Sequence, residues 1–99
     1  MPNSVREKGK IGMYYVYILQ CGDGTYYTGS TTDLERRLDA HANGRGAKYT
    51  RGRGPLRLVY REEMESWPAA LRREAAIKKL TRAQKIALIA QSAHRENKA

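Results

Sequence analysis

The chain is poor in the residues that build cross-links and metal clusters. It has one cysteine, Cys21, which excludes an intramolecular disulfide framework and any cysteine-rich zinc site. Its two histidines, His41 and His94, are too few to make a His/Cys metal cluster with it. A lone cysteine ending an apolar stretch reads as a small buried hydrophobe. No apolar run approaches the length of a membrane span, and the first residues have no signal-peptide core, so a cytoplasmic protein with no membrane partner is expected. Acid is also scarce: 10 Asp plus Glu stand against 19 Lys plus Arg, a formal net charge of +9. The basic residues run through the interior of the chain, which points to a polyanionic partner. Each phosphate neutralised releases counterions and adds affinity that does not depend on sequence. With 99 residues, one domain with one modest core is expected.

Residues 1–12 mix Pro2, charges and glycines without periodicity and read as a disordered lead-in to a domain over residues 13–91. Tyr14 to Cys21 is β-branched and aromatic, the pattern of a buried strand. Gly22-Asp23-Gly24 turns the chain, and Thr25-Tyr26-Tyr27-Thr28-Gly29 returns it. A two-residue loop would put Tyr17 and Tyr27 on opposite faces; a three-residue loop, with Gly24 left-handed, would put them on one face. Local sequence does not choose between these, and we expect the second.

Thr32-Asp33-Leu34-Glu35 has the form of a capping box for a helix from about Asp33 to Ala42. On it Leu34, Leu38 and His41 form one stripe, with Arg37 at the edge of the inward face. Residues 43–55 carry Arg45, Lys48, Arg51 and Arg53 among glycines, with Tyr49 between them. Cations beside an aromatic suit phosphate contact and base stacking; the plainer reading is a solvated loop. Leu56 to Tyr60 reads as a third strand, parallel or antiparallel to the first. Ser66 caps a second helix with Pro68 in its first turn and an inner stripe of Trp67, Ala70, Leu71 and Ile77. Thr81-Arg82-Ala83-Gln84 is a second capping box, with Ala83, Ile86, Ile89 and Ala90 facing inward and residues 92–99 fraying.

Glu74 lies in the middle of the second helix's apolar stripe. A carboxylate there is costly unless it is paired or binds a metal. An ion pair to an arginine such as Arg37 is the structural reading. A functional role is favoured, because such local inconsistencies concentrate at sites.

Tyr15-Val16-Tyr17 … Tyr27-Thr28-Gly29, followed by Ser30 to Arg37 and then His41, resembles the signature of the GIY-YIG nuclease superfamily, in particular its small stand-alone bacterial members. The resemblance extends over about residues 14–90, including Gly46-Ala47-Lys48 and Leu71-Arg72-Arg73-Glu74. It implies an α/β (α+β) fold, a three-stranded antiparallel sheet flanked by helices. It also implies an endonuclease hydrolysing DNA phosphodiesters, in DNA repair or processing, with Mg²⁺ or Mn²⁺ and no small-molecule cofactor. By match, Tyr17, Tyr27, Arg37, His41 and Glu74 are the catalytic set, with Glu74 the metal ligand and a Tyr17 phenolate the base for the attacking water. One protein carboxylate suffices for Mg²⁺, which keeps several waters. Arg45, Lys48, Tyr49, Arg51 and Arg53 are the expected nucleic-acid contacts, on DNA or RNA. Tyr15 stands where the signature has glycine, Thr28 where it has isoleucine, and Ser30 where some members have lysine. The alternatives are a non-catalytic nucleic-acid-binding module on the same fold and an adaptor docking a protein partner.

Overall fold

The computed structural model describes residues 14–98, and the side chains of 14–92. The expected lead-in over residues 1–12 lies outside the described residues. Strands β1 (Tyr14–Gln20), β2 (Tyr26–Thr31) and β3 (Arg57–Met64) form one antiparallel sheet in the order β2-β1-β3. Helix α1 (Leu34–Ala42) follows the hairpin, and α2 (Trp67–Lys78) and α3 (Arg82–Lys98) follow the sheet. A short 3₁₀ turn, Lys48–Thr50, interrupts the basic loop. No described helix is long and apolar enough to cross a membrane.

The hairpin closes through three residues. Cys21 N–H donates to Thr25 O at 2.8 Å, Gly24 N–H donates to Cys21 O at 2.9 Å, and Gly24 takes φ +87°. That conformation suits a residue without Cβ. The register that follows pairs Tyr17 with Gly29 and Leu19 with Tyr27. Tyr17 and Tyr27 therefore share a face, as the three-residue turn requires.

The central strand is buried on both faces, which explains its unbroken apolar run. Val16 and Ile18 pack with Tyr60, Ala70 and Ile77 beneath α2 and α3. Tyr17 and Leu19 pack with Leu34 and Leu38 beneath α1. β3 runs four residues past the expected end at Tyr60. Its charged extension still alternates: Tyr60 and Glu62 lie inward, and Arg73 of α2 donates to Glu62 at 2.7 Å. An ion pair takes the place of an apolar pair there, so the hydrophobic pattern did not mark it.

The caps are partly as expected. Ser66 Oγ accepts from Ala69 N–H, and Thr81 and Gln84 exchange reciprocal bonds of 2.9 and 3.1 Å. The cap of α1 is Asp33, whose carboxylate accepts from Arg36 N–H at 3.1 Å. The box expected from Thr32 and Glu35 is not the one used, because Asp33 is one residue closer to the first turn. Two helix stripes also need correction. On α2 the buried residues are Ala70 and Ile77, while Leu71 and Trp67 stay exposed. On α3 Leu88 and Ile89 pack inward, and Ile86, Ala83 and Ala90 face out. α2 meets the sheet on a narrow strip, so only part of its apolar surface is covered, while the inward face of α3 is rotated to Lys85, Leu88, Ile89 and Ser92. α3 also continues as helix to Lys98, past the boundary expected near residue 91.

Ile77→Ala should then destabilise the fold by about 2–5 kcal/mol, while Leu71→Ala should cost under about 1 kcal/mol. Urea unfolding of both variants checks this. A larger loss from Leu71→Ala would place the other side of α2 against the sheet.

Candidate active site

Tyr17 is wholly buried on β1, and its ring crosses the hairpin to lie over Gly29. A Cβ built on Gly29 would stand 2.6 Å from the Tyr17 hydroxyl and 2.8 Å from Cζ. The glycine of the second tripeptide is thus the space that Tyr17 occupies. The hydroxyl meets Nε2 of His41 at 2.8 Å, and Arg37 Nε donates to it at 3.4 Å. Arg37 and His41 are four residues apart, so α1 presents both to the same strand.

The tautomer of His41 follows from its other partner. Thr50 Oγ1 donates its one proton to Ala47 O at 2.9 Å, so it can only accept from His41 Nδ1, 3.0 Å away. With Nδ1 protonated, Nε2 is the acceptor and Tyr17 the donor. Burial, and after it the nearby charge of Arg37, holds the His41 pKa below its ordinary value. Burial likewise pushes Tyr17 up to about 12, against the hydrogen bond from Arg37. At neutral pH the pair is a phenol donating to a neutral imidazole. A standing Tyr17 phenolate, expected from the resemblance, is disfavoured here.

Tyr27 completes this cluster. Its ring lies edge-on to His41, with centroids 5.3 Å apart, and 6.3 Å from that of Tyr17. Tyr49 stacks on the outer side of Tyr27 at 6.0 Å, and the Arg53 guanidinium lies 4.3 Å from the Tyr49 ring centre. Gly46 packs so closely on the His41 ring that a side chain there would collide with it.

Glu74 reaches the same edge of the sheet from the other face. Its Oε1 accepts from Ser30 Oγ at 2.5 Å, one residue beyond Gly29, and its Oε2 pairs with Lys78 at 2.8 Å. The structural reading named an arginine such as Arg37 as the partner of Glu74, and the ion pair Glu74 makes is with Lys78. Its charge is felt by Tyr17, whose proton it helps to hold. The site therefore wraps the free edge of β2, with the tyrosine–histidine–arginine group on one face and the carboxylate on the other.

No group of three or more His, Cys, Asp or Glu converges among the described residues. Glu74 still fits a hard divalent cation. It is largely shielded from solvent, and the ammonium it already draws occupies a place that a cation could take. Water and phosphate oxygens would supply the remaining ligands.

The expected nucleic-acid contacts divide. Lys48, Arg51 and Tyr49 are exposed on the loop, and Tyr49 joins the aromatic stack. Arg53 is tied to Asp23 at 2.6 Å, and Arg45 stands 3.6 Å from Asp39 on the surface. The hydroxyl and amide of Thr25, ahead of Arg53, hold the Asp23 pKa down to about 2. Ser30, Thr50, Lys78 and Gly46 were not among the expected site residues. Lys78 had a signal, its place four residues after Glu74. Thr50 had none, because only the folded loop brings it beneath His41.

The profile of the GIY-YIG catalytic domain matches residues 13–87. A UPF0213 protein of Clostridium perfringens is 57% identical over 84 residues, covering 85% of this chain and 90% of that one. A UPF0213 protein of Halobacterium salinarum is 57% identical over 76 residues, 77% of this chain and 99% of that protein. The solution NMR structure of a UPF0213 protein from Bacillus halodurans has 52% identity and a TM-score of 0.53, covering 79% of this chain and 83% of that one. A second NMR structure, of a protein from E. faecalis, has 44% identity and a TM-score of 0.57, with coverages of 81% and 85%.

The depressed His41 pKa has a consequence for stability. The unfolded chain takes up the histidine proton first, near the ordinary value of about 6.5. This contribution is fully present above that pH and is lost as pH falls through the lower folded value. The Tm should thus decline as pH falls below about 6.5, a decline that His41→Gln abolishes. An unaltered decline in the variant would assign it to another group.

Proposed function

The chain belongs to the GIY-YIG nuclease superfamily, and on that premise we propose that it is a divalent-metal-dependent endonuclease hydrolysing DNA phosphodiesters, in DNA repair or processing. The observation that carries this reading is the Tyr17 hydroxyl held between a neutral imidazole acceptor and a guanidinium, at the strand edge that Glu74 also reaches.

In this reading Arg37 is the phosphate ligand. Its bond to Tyr17 is long, so a phosphate, which offers a charge-assisted bond, can compete for it. Tyr17 is covered in the resting protein, so the reading requires Arg37 to move onto the phosphate and open a path for water to its hydroxyl. As water attacks phosphorus, its proton passes to the Tyr17 oxygen while the Tyr17 proton passes to His41 Nε2. Thr50 keeps Nδ1–H in place throughout, so the imidazole receives the proton without turning. This two-step relay avoids a free phenolate, which a pKa of about 12 makes rare at neutral pH. Arg37 stabilises the charge gathering on the phosphorane, and the leaving oxygen takes a proton from solvent. A divalent cation held by Glu74 would supply further charge stabilisation. Lys48, Arg51 and Tyr49 engage neighbouring backbone and bases.

A second reading has one observation in its favour. Lys78 already neutralises Glu74, as suits a module that binds nucleic acid without cutting it. Glu74→Gln separates the two. Glutamine can keep the Ser30 bond, and the lost Lys78 pair is half exposed, so the fold should weaken by under about 1 kcal/mol. Mg²⁺-dependent nicking should disappear, while duplex binding in EDTA stays equal or tightens. Nicking at the wild-type rate would remove Glu74 from the reaction. A loss above about 3 kcal/mol would make it a structural group instead.

A further inference from the structure

Beyond Tyr27, the free edge of β2 carries a second concavity of about 290 Å³, lined by Tyr26, Tyr27, Thr28, Tyr49, Lys78 and Lys85. It opens beside the Tyr17–His41 cluster and shares Tyr27 with it. Two of its features are unexplained by packing. The hydroxyl of Thr28, a residue only 3% exposed, is the one buried side-chain polar atom among the described residues without a hydrogen-bond partner. Natural folds seldom leave such a donor unmatched. Lys85 is half buried in the wall and makes no ion pair with a described residue. The second ammonium, on Lys78, is held by Glu74. A third cation, Arg82, lies 5.0 Å from the centre of the Tyr26 ring. Among the described residues Glu74 is the one carboxylate ion-paired to a lining residue, and Lys78 neutralises it.

We propose that this pocket binds a second phosphate of the nucleic-acid strand, with Lys85 as its anchoring cation and Thr28 as a neutral donor. The inference rests on the nuclease reading for the identity of the strand, and it names a subsite that reading does not use. A phosphate brings what the pocket lacks: oxygen acceptors for the Thr28 hydroxyl and charge for the Lys85 ammonium. The aromatic wall suits the rest of the nucleotide. Tyr49, itself 41% exposed, adds aromatic surface against which a sugar or base can pack without regard to its identity. A strand seated here continues along the sheet edge to Arg37. The two phosphate positions together fix its direction through the site, which one arginine alone would not do.

The test is made in EDTA, so that cleavage plays no part. Binding of a short single-stranded DNA is measured over a series of KCl concentrations for the wild type, Lys85→Gln and Lys85→Arg. Amide spectra of each variant check that the fold is unchanged. Loss of one phosphate contact should lower the magnitude of the salt slope by about 0.7 and weaken binding about fivefold near 0.1 M salt. Lys85→Arg should restore both. Inorganic phosphate should move the Thr28 amide resonance of the wild type, with far weaker affinity than the strand. An unchanged slope and affinity in Lys85→Gln overturns the subsite while leaving the nuclease reading intact. Inorganic phosphate binding as tightly as the strand makes the pocket a free-anion site and also overturns it. A wild type that binds no strand at all overturns both. Loss of Mg²⁺-dependent nicking alone bears only on the nuclease reading.

Discussion

Tyr17 lies in the middle of the central strand, covered on every side, with a hydroxyl that has to find partners inside the protein. It finds His41 at 2.8 Å, and through that bond the strand is joined to α1 and to the basic loop. Much of the local sequence follows from this one bond. Gly29 leaves room for the ring, Gly46 lets the loop close over the imidazole, and Thr50 fixes its tautomer. The three-residue turn at Gly24 sets the register that puts Tyr27 beside the same histidine. A buried polar network of this kind is favourable only when each member is satisfied, and here each hydroxyl and ring nitrogen has its partner.

The charges are arranged around the same edge. Among the described residues the ion-paired carboxylates hold specific cations: Asp23 holds Arg53, Glu62 holds Arg73, Asp39 holds Arg45, and Glu74 holds Lys78. With 19 basic residues against 10 acidic ones, a surplus of cations remains for a polyanion. Lys48 and Arg51 stand exposed in the loop, and Lys85 lines the pocket on the other side of Tyr27. An edge strand normally has to be protected from pairing with other chains. Here β2 is flanked by aromatic rings and cations, which both cover the edge and suit it to a phosphate backbone.

What the sequence disclosed depended on how local the cause was. The hairpin, the helix positions and the inward set of Leu34, Leu38 and His41 follow from short-range patterns, and the structure has them. The GIY-YIG signature indicated the three-stranded antiparallel sheet and brought Tyr17, Tyr27, Arg37 and His41 together as one group. Features set by distant partners were not legible. The charged half of β3 is a strand because Arg73, on another element, neutralises Glu62. Glu74 was conspicuous as a carboxylate among apolar neighbours, yet its partners proved to be Ser30 and Lys78 instead of Arg37. The stripe of α2 was read too wide and that of α3 was rotated away from Leu88, because periodicity shows which residues share a face but not which face the sheet covers or how much of it. The protonation state of Tyr17 was hidden for a similar reason: burial sets it, and burial belongs to the fold.

The reaction assigned to this cluster rests on the Tyr17 hydroxyl. The most direct measurement is single-turnover Mg²⁺-dependent cleavage by wild type and Tyr17→Phe, over duplex, single-stranded, flapped and four-way DNA and across pH 5 to 8 (about three units around the ordinary histidine pKa). Wild-type cleavage of at least one substrate is expected to rise with pH and level off above the depressed pKa of His41. Tyr17→Phe is expected to bind that substrate unchanged and to cut it at least about a hundredfold more slowly, the loss typical of a missing proton-transfer group. Cleavage by Tyr17→Phe at the wild-type rate, with the same pH profile, would contradict the relay.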